Sequence, residues 1–341
     1  MQLGLYSFGE SSIDAATKRW VPAAQIMRNL LERITLADQV GLNYFGIGEH
    51  HRQDYPVSSP AEILSAAAML TKNIHLGSAV TVLPTEDPVR VFQQYATLDN
   101  LSQGRGELTV GSGAYLEPYP LFGVDYANHQ QVFTEKLGLL KLLTSQNPVS
   151  WNGTSRAPLN NAGIWPQPFG EKLDTWVATG GTLESSERAA KLGFNAIYSF
   201  LGNPPASNKH LLAHYREVAA AGGPQASALK IAVAGRGLIA SNARAAKEAL
   251  YPHWLNSVVQ SAIERGRPKP DRELFDLQVG GDGPILAGDP NEVADRLAAM
   301  HSELGHDRHI LHMDIGNVGH SIVMKSIELF GTKVLPQVSH L

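Results

Sequence analysis

"ADQVGLNYFGI" (37–47) closes a helical pattern, passes through a glycine and opens an apolar extended run. "AAKLGFNAIYS" (189–199) repeats the arrangement, and "HSELGHDRHIL" (301–311) repeats it more loosely. In each, the glycine stands where a left-handed residue commonly ends a helix. One helix–Gly–strand joint used three times implies serial βα units rather than separate blocks of helices and strands.

Working outward from these joints gives eight strand candidates: 3–8, 44–48, 74–83, 106–112, 175–180, 196–200, 230–235 and 309–316. They are rich in Val, Ile and aromatics and lack strict alternation, as strands covered on both faces do. Helical patterns lie between them at 24–40, 60–71, 129–144, 184–192, 207–221, 242–265, 290–303 and 320–335. In the first, Ile26, Leu30, Ile34 and Ala37 share one face. The expectation is a (β/α)8 TIM-type barrel forming a single domain over 1–341, with an inserted loop region at 264–284 before the last strand. A doubly wound sheet competes, because "AGRGLIASN" (234–242) reads G-x-G-x-x-A. No acidic residue follows about 20 positions on, so a βα turn of the barrel is the better reading of that stretch.

Composition narrows the function. The chain has 341 residues, 43% hydrophobic and 18% charged, with a formal charge of −4. That balance describes a globular protein, and without a long basic run nucleic acid is not an expected partner. There is no cysteine, which removes disulfides, thiolate metal sites and Cys nucleophiles. "MQLGLYSFGE" lacks a signal-peptide pattern, and no apolar run approaches a membrane span, so a cytoplasmic location without membrane association is expected.

Active sites of such barrels lie at the C-terminal ends of the strands. After the second strand, "GIGEHHRQDYP" (46–56) places Glu49, His50 and His51 in a row. Adjacent histidines on an extended chain face opposite ways, and H-E-x-x-H is absent, so no metal site is expected. Acid–base work and a structural role at the strand end both remain open. After the fifth strand, "GGTLESSERAA" (180–190) combines two glycines, three hydroxyls and a helix start, a pattern suited to a phosphate or to a plain helix cap.

"EHH" (49–51), "LGSAVTVLPTEDPVR" (76–90), "LDNLSQGRGELTVGSG" (98–113) and "SIELFGTKVLP" (326–336) occur in that order. Together they resemble the bacterial luciferase-like flavin monooxygenase family, over about residues 3 to 338. The resemblance implies a barrel that holds reduced FMN at its mouth and uses O2 on a small organic substrate through a peroxyflavin. It makes His50 the catalytic histidine and puts its motif neighbours Glu49 and His51 in the catalytic set with it. It places a non-proline cis peptide at Ala79 and Val80 under the flavin ring, and the phosphate on Gly181, Thr182 and Ser185. Ser7, Gly111, Ser112 and Gly180 complete the expected cofactor-binding set.

Two departures matter. Ser112 and Gln130 stand where the luciferase catalytic subunit carries arginines near the phosphate, so the grip must come from backbone N–H groups, hydroxyls, or an arginine elsewhere. Gly111 replaces its reactive cysteine, and light emission is not expected. Deazaflavin-dependent hydride transfer and a non-catalytic flavin-binding protein are the alternatives. Lacking a convincing dinucleotide fingerprint, the chain is expected to receive reduced flavin from a separate reductase, with direct NAD(P)H use left open. The resemblance also suggests a homodimer.

Overall fold

Leu3, Leu76, Leu108, Val177, Ile231 and Leu311 are buried between the strands and an outer layer of helices. Tyr44, Trp176, Ile197, Ala232 and Ile310 form a second apolar cluster. Strands buried on both faces are what the continuous apolar runs call for. The computed structural model describes residues 1–14, 16–223, 228–264, 266 and 268–341.

The barrel strands are β1 (Gln2–Ser7), β2 (Tyr44–Ile47), β3 (His75–Ser78) and β4 (Gly106–Gly111). They continue with β5 (Asp174–Ala178), β6 (Asn195–Ser199), β7 (Ile231–Ile239) and β8 (Arg308–His312). Each pairs in parallel with the next. β8 returns to β1, with Leu5 opposite Leu311, and closes the (β/α)8 barrel. The three joints behave as their sequence implies: Gly41, Gly193 and Gly305 all have positive φ. Ile26, Leu30, Ile34 and Ala37 are buried on the helix Ala23–Gln39, and Arg33 joins them.

Inside the barrel, Arg308 makes a two-pronged ion pair with Glu107, at 2.6 and 2.9 Å. The guanidinium also lies over the rings of Tyr44 and Trp176, 4.6 and 4.7 Å from their centroids. Burial alone would raise the Glu107 pKa, but Arg308 and His75 overcome it and hold the carboxyl down at about 2.

Several elements differ from the sequence-based expectation. β3 stops at Ser78, short of the expected 83, and the Ala79–Val80 peptide bond that follows is cis, as the resemblance implies. Thr81 and Val82 then pair with Val110 and Gly111 of β4. β7 runs on to Ile239, so the Gly235-x-Gly237 pattern lies within a strand rather than in a βα turn. The region expected as a loop holds a helix, Arg272–Val279, capped by Asp271. A short strand follows, Ile285–Gly288, paired with the far end of β7. Residues 265 and 267 of that region lie outside the described ones. The helix Pro88–Ser102, capped by Asp87, was not anticipated; its buried face includes Asp99 and Ser102, which blur the apolar period. Nor was the antiparallel pair Val149–Trp151 and Leu159–Ala162.

Candidate active site

At the C-terminal mouth of the barrel lies a cavity of about 270 Å³. Ala79 and Val80 line it from the end of β3, and Gly111 and Ser112 from the end of β4. A Cβ added to Gly111 would stand 3.0 Å from Val80 Cγ2 and 3.4 Å from the Ala178 Cβ. Glycine there leaves room for Val80 and Ala178. Phe8, Tyr6, Tyr55 and Tyr115 supply an aromatic wall, and Arg236 and His312 also line the space.

Glu49 ties the loop after β2 to the segment after β3. Its N–H donates to Val80 O at 3.1 Å, and its Oε2 accepts from the Val82 N–H at 2.9 Å. Oε1 lies 2.9 Å from His51 Nε2. The His51 ring also meets Phe122 edge-on, at 5.0 Å. Glu49 and His51 therefore hold the rim.

His50 is buried against three rings that line the cavity: Phe8 at 4.7 Å, Tyr55 at 4.9 Å and Tyr115 at 5.2 Å between centroids. It stands behind that wall rather than in it. Burial, reinforced by the charges of His312, His51 and Arg52, pushes its pKa down to about 4. The imidazole is therefore neutral near pH 7. Outside it, Arg52 pairs with Asp54 through two hydrogen bonds and lies over Tyr115 at 5.1 Å.

Ser7 does not reach the cavity. Side chains alternate along a strand, so Tyr6 and Phe8 face the mouth and Ser7 faces the other way. Its hydroxyl donates to Asp314 at 2.6 Å and accepts from the Gly9 N–H at 3.0 Å. Asp314 also pairs with Arg33 and stands 3.1 Å from His312 Nε2. Although burial opposes ionisation, Arg33, His312 and Ser7 hold the Asp314 carboxyl well below the usual range. Glu10, 3.5 Å from His312, is pushed up to about 8 by burial and the Asp314 charge. His312 went unremarked in the sequence, although it stands in the last barrel strand two residues before Asp314.

A second cavity adjoins the first through Ser112, Ala178 and Gly180. Gly181 has φ +76°, and a Cβ at Gly180 or Gly181 would meet nothing within 4 Å. Thr182 then caps the helix Leu183–Lys191. Its Oγ1 accepts from the Ser185 N–H at 3.1 Å, while the Ser185 hydroxyl donates to Thr182 O at 2.8 Å. Ser185 therefore builds the turn and does not offer its proton to a ligand. The Leu183 and Glu184 N–H groups lie in the helix's first turn, where an anion finds donors.

Arg188, one turn further along that helix, also lines this cavity. Its guanidinium lies 5.3 Å from the Phe133 centroid, and its Nε is buried without a hydrogen-bond partner. It supplies the cation that Ser112 and Gln130 do not. "GGTLESSER" contains it, one turn beyond the glycines and hydroxyls that mark the turn.

Two adjoining cavities, the second at a glycine turn and a helix N-terminus, make an elongated space at the strand ends, where (β/α)8 barrels place their sites. The chain belongs to the luciferase-like monooxygenase family, whose profile matches residues 1–307. The uncharacterized protein y4vJ of Sinorhizobium fredii is 26% identical over 334 residues, 93% of each chain. Among solved structures, monooxygenase RslO1 from Streptomyces bottropensis shares the fold at a TM-score of 0.83 and 23% identity, covering 98% of this chain and 99% of its own. The oxygenating constituent of 3,6-diketocamphane monooxygenase from Pseudomonas putida, in complex with FMN, does so at 0.77 and 21%, covering 98% of both.

Proposed function

We propose that the chain is an FMN-dependent monooxygenase acting on a small organic substrate. The observation that carries this is the continuity of the two cavities. Ala79, Val80 and Gly111 would receive the isoalloxazine ring, with Ser112 and Gly180 at the junction. Gly181, the Thr182 hydroxyl, the first-turn N–H groups and Arg188 would hold the phosphate. The unpartnered Arg188 Nε is the feature that best fits an anionic tail. Reduced FMN, when bound, would supply the electrons that activate O2, one oxygen atom going to the substrate and the other leaving as water, and a separate reductase would deliver it.

The chain's own part is to bind the reactants and keep them dry. Phe8, Tyr6 and Tyr55 exclude water from the cavity. His50, neutral at pH 7, packs behind Phe8 and Tyr55 and positions those rings, so in this reading it acts through them and not by taking a proton from the substrate. Glu49 and His51 hold its loop. The test is a titration of the purified protein with FMN and with a deazaflavin, each oxidised and reduced. FMN binding supports the proposal. Binding of the deazaflavin alone selects hydride transfer instead, and binding of neither removes the flavin reading.

A further inference from the structure

The aromatic half of the mouth cavity contains a cation with no counter-ion. Arg236 leaves β7 beside Tyr6, Tyr55 and Tyr115 and lines the space with them. One terminal nitrogen lies 3.4 Å from Leu201 O, a weak contact. Its Nε is buried with no partner, and no carboxylate among the described residues lies within ion-pair distance. A guanidinium in such a setting carries a desolvation cost that a paired anion would offset.

The neighbouring acid does not neutralise it. Glu10 is the one carboxyl on the cavity lining, and burial together with the Asp314 charge raises its pKa to about 8. At pH 7 it is largely protonated. Asp314 is engaged by Arg33, Ser7 and His312 on the other side of β1. The cavity therefore offers aromatic walls and one planar cation with which no carboxylate among the described residues pairs.

We propose that Arg236 anchors the substrate, and that the substrate class is a planar aromatic molecule bearing a carboxylate. The fork of the guanidinium matches a carboxylate through two parallel hydrogen bonds. Tyr6, Phe8, Tyr55 and Tyr115 pack against the ring system by offset and edge contacts. The inference rests on the flavin reading above, because it assigns to the substrate the part of the cavity away from Ala79, Val80 and Gly111.

The test uses 2-naphthoate and its methyl ester as probes, titrated calorimetrically into the full-length protein with and without FMN. The acid binds about tenfold or more tightly than the ester, the size expected of a charge-assisted pair. R236M removes that preference and leaves ester and FMN affinities within about twofold. R236K keeps the charge but loses the fork, and gives an intermediate ratio; it carries the test if R236M does not fold. Equal binding of acid and ester, or no binding of the acid, overturns the proposal. So does an R236M variant that loses FMN instead, which would make Arg236 a cofactor ligand. A wild-type protein that prefers the acid but binds no FMN would leave this anchor standing and remove the flavin reading alone.

Discussion

The carboxylate of Glu49 accepts the backbone N–H of Val82 at 2.9 Å, joining the loop after β2 to the short strand that follows the Ala79–Val80 bond. Its other oxygen meets His51 at 2.9 Å. A residue that reads as catalytic from its place in "EHH" is thus placed to fix the geometry of the cavity floor.

Removing that tie exposes its worth. Glu49→Ala leaves the buried Val82 N–H unpaired and is expected to cost roughly 1–3 kcal/mol. Glu49→Gln keeps an acceptor and costs less. Urea unfolding of both variants checks this. Equal stability of Glu49→Ala and the wild type would deny the tie.

Arg188 distinguishes the phosphate from the ring. Arg188→Met is expected to weaken FMN by about tenfold or more while leaving riboflavin, which lacks the phosphate, nearly unchanged. Fluorescence titration with both flavins reads the difference. Parallel losses would mean that Arg188 supports the fold of the site rather than the anion.

His50 supports the aromatic wall and links stability to pH. His50→Ala loosens Phe8, Tyr55 and Tyr115 and should lower turnover by about 10²-fold through misplacement of the substrate, with FMN affinity largely retained. The pKa near 4 also makes a stability statement. Between that value and about 6.5, the unfolded chain binds more protons at this residue than the folded chain does. Stability from His50 is therefore present above about pH 6.5 and is lost as the pH falls towards 4. His309, pushed down to about 3 by burial, adds a loss in the same direction. Urea midpoints measured from pH 7 to pH 4 should fall, and His50→Phe should flatten that fall. An unchanged slope in the variant would contradict the assignment.

The ion pair inside the barrel makes a stability prediction apart from the site. Arg308→Met leaves Glu107 buried and charged, and should destabilise by roughly 3–5 kcal/mol. Arg308→Met combined with Glu107→Leu removes both charges and should recover much of that loss. A double variant no more stable than Arg308→Met would show that ring packing around Arg308, not the pair, dominates.

The barrel was legible because its signals are local. Gly41, Gly193 and Gly305 each mark a helix end within a few residues of the next strand, and the apolar face of Ala23–Gln39 repeats at helical spacing. The glycine turn at 180–181 and the loop carrying Glu49 could be placed for the same reason. Ser7 was assigned to the cofactor although the alternation along β1 puts it opposite Tyr6 and Phe8. Arg236 was hidden by the glycines around it, which imitate a turn while the chain continues as a strand. Arg188 lies within "GGTLESSERAA", but only the folded chain shows its side chain on the second cavity, as it shows Tyr115 on the first. Proximity across the barrel leaves no period in the sequence to read.

The central claim is that one continuous site takes FMN, ring in the mouth cavity and phosphate on the turn after β5. Equilibrium titration of the wild-type protein with FMN and riboflavin tests it most directly. The account predicts that both bind and that FMN binds about tenfold or more tightly, the margin expected of a phosphate held by charge-assisted hydrogen bonds. Failure of FMN to bind, or equal affinity for the two, would contradict it.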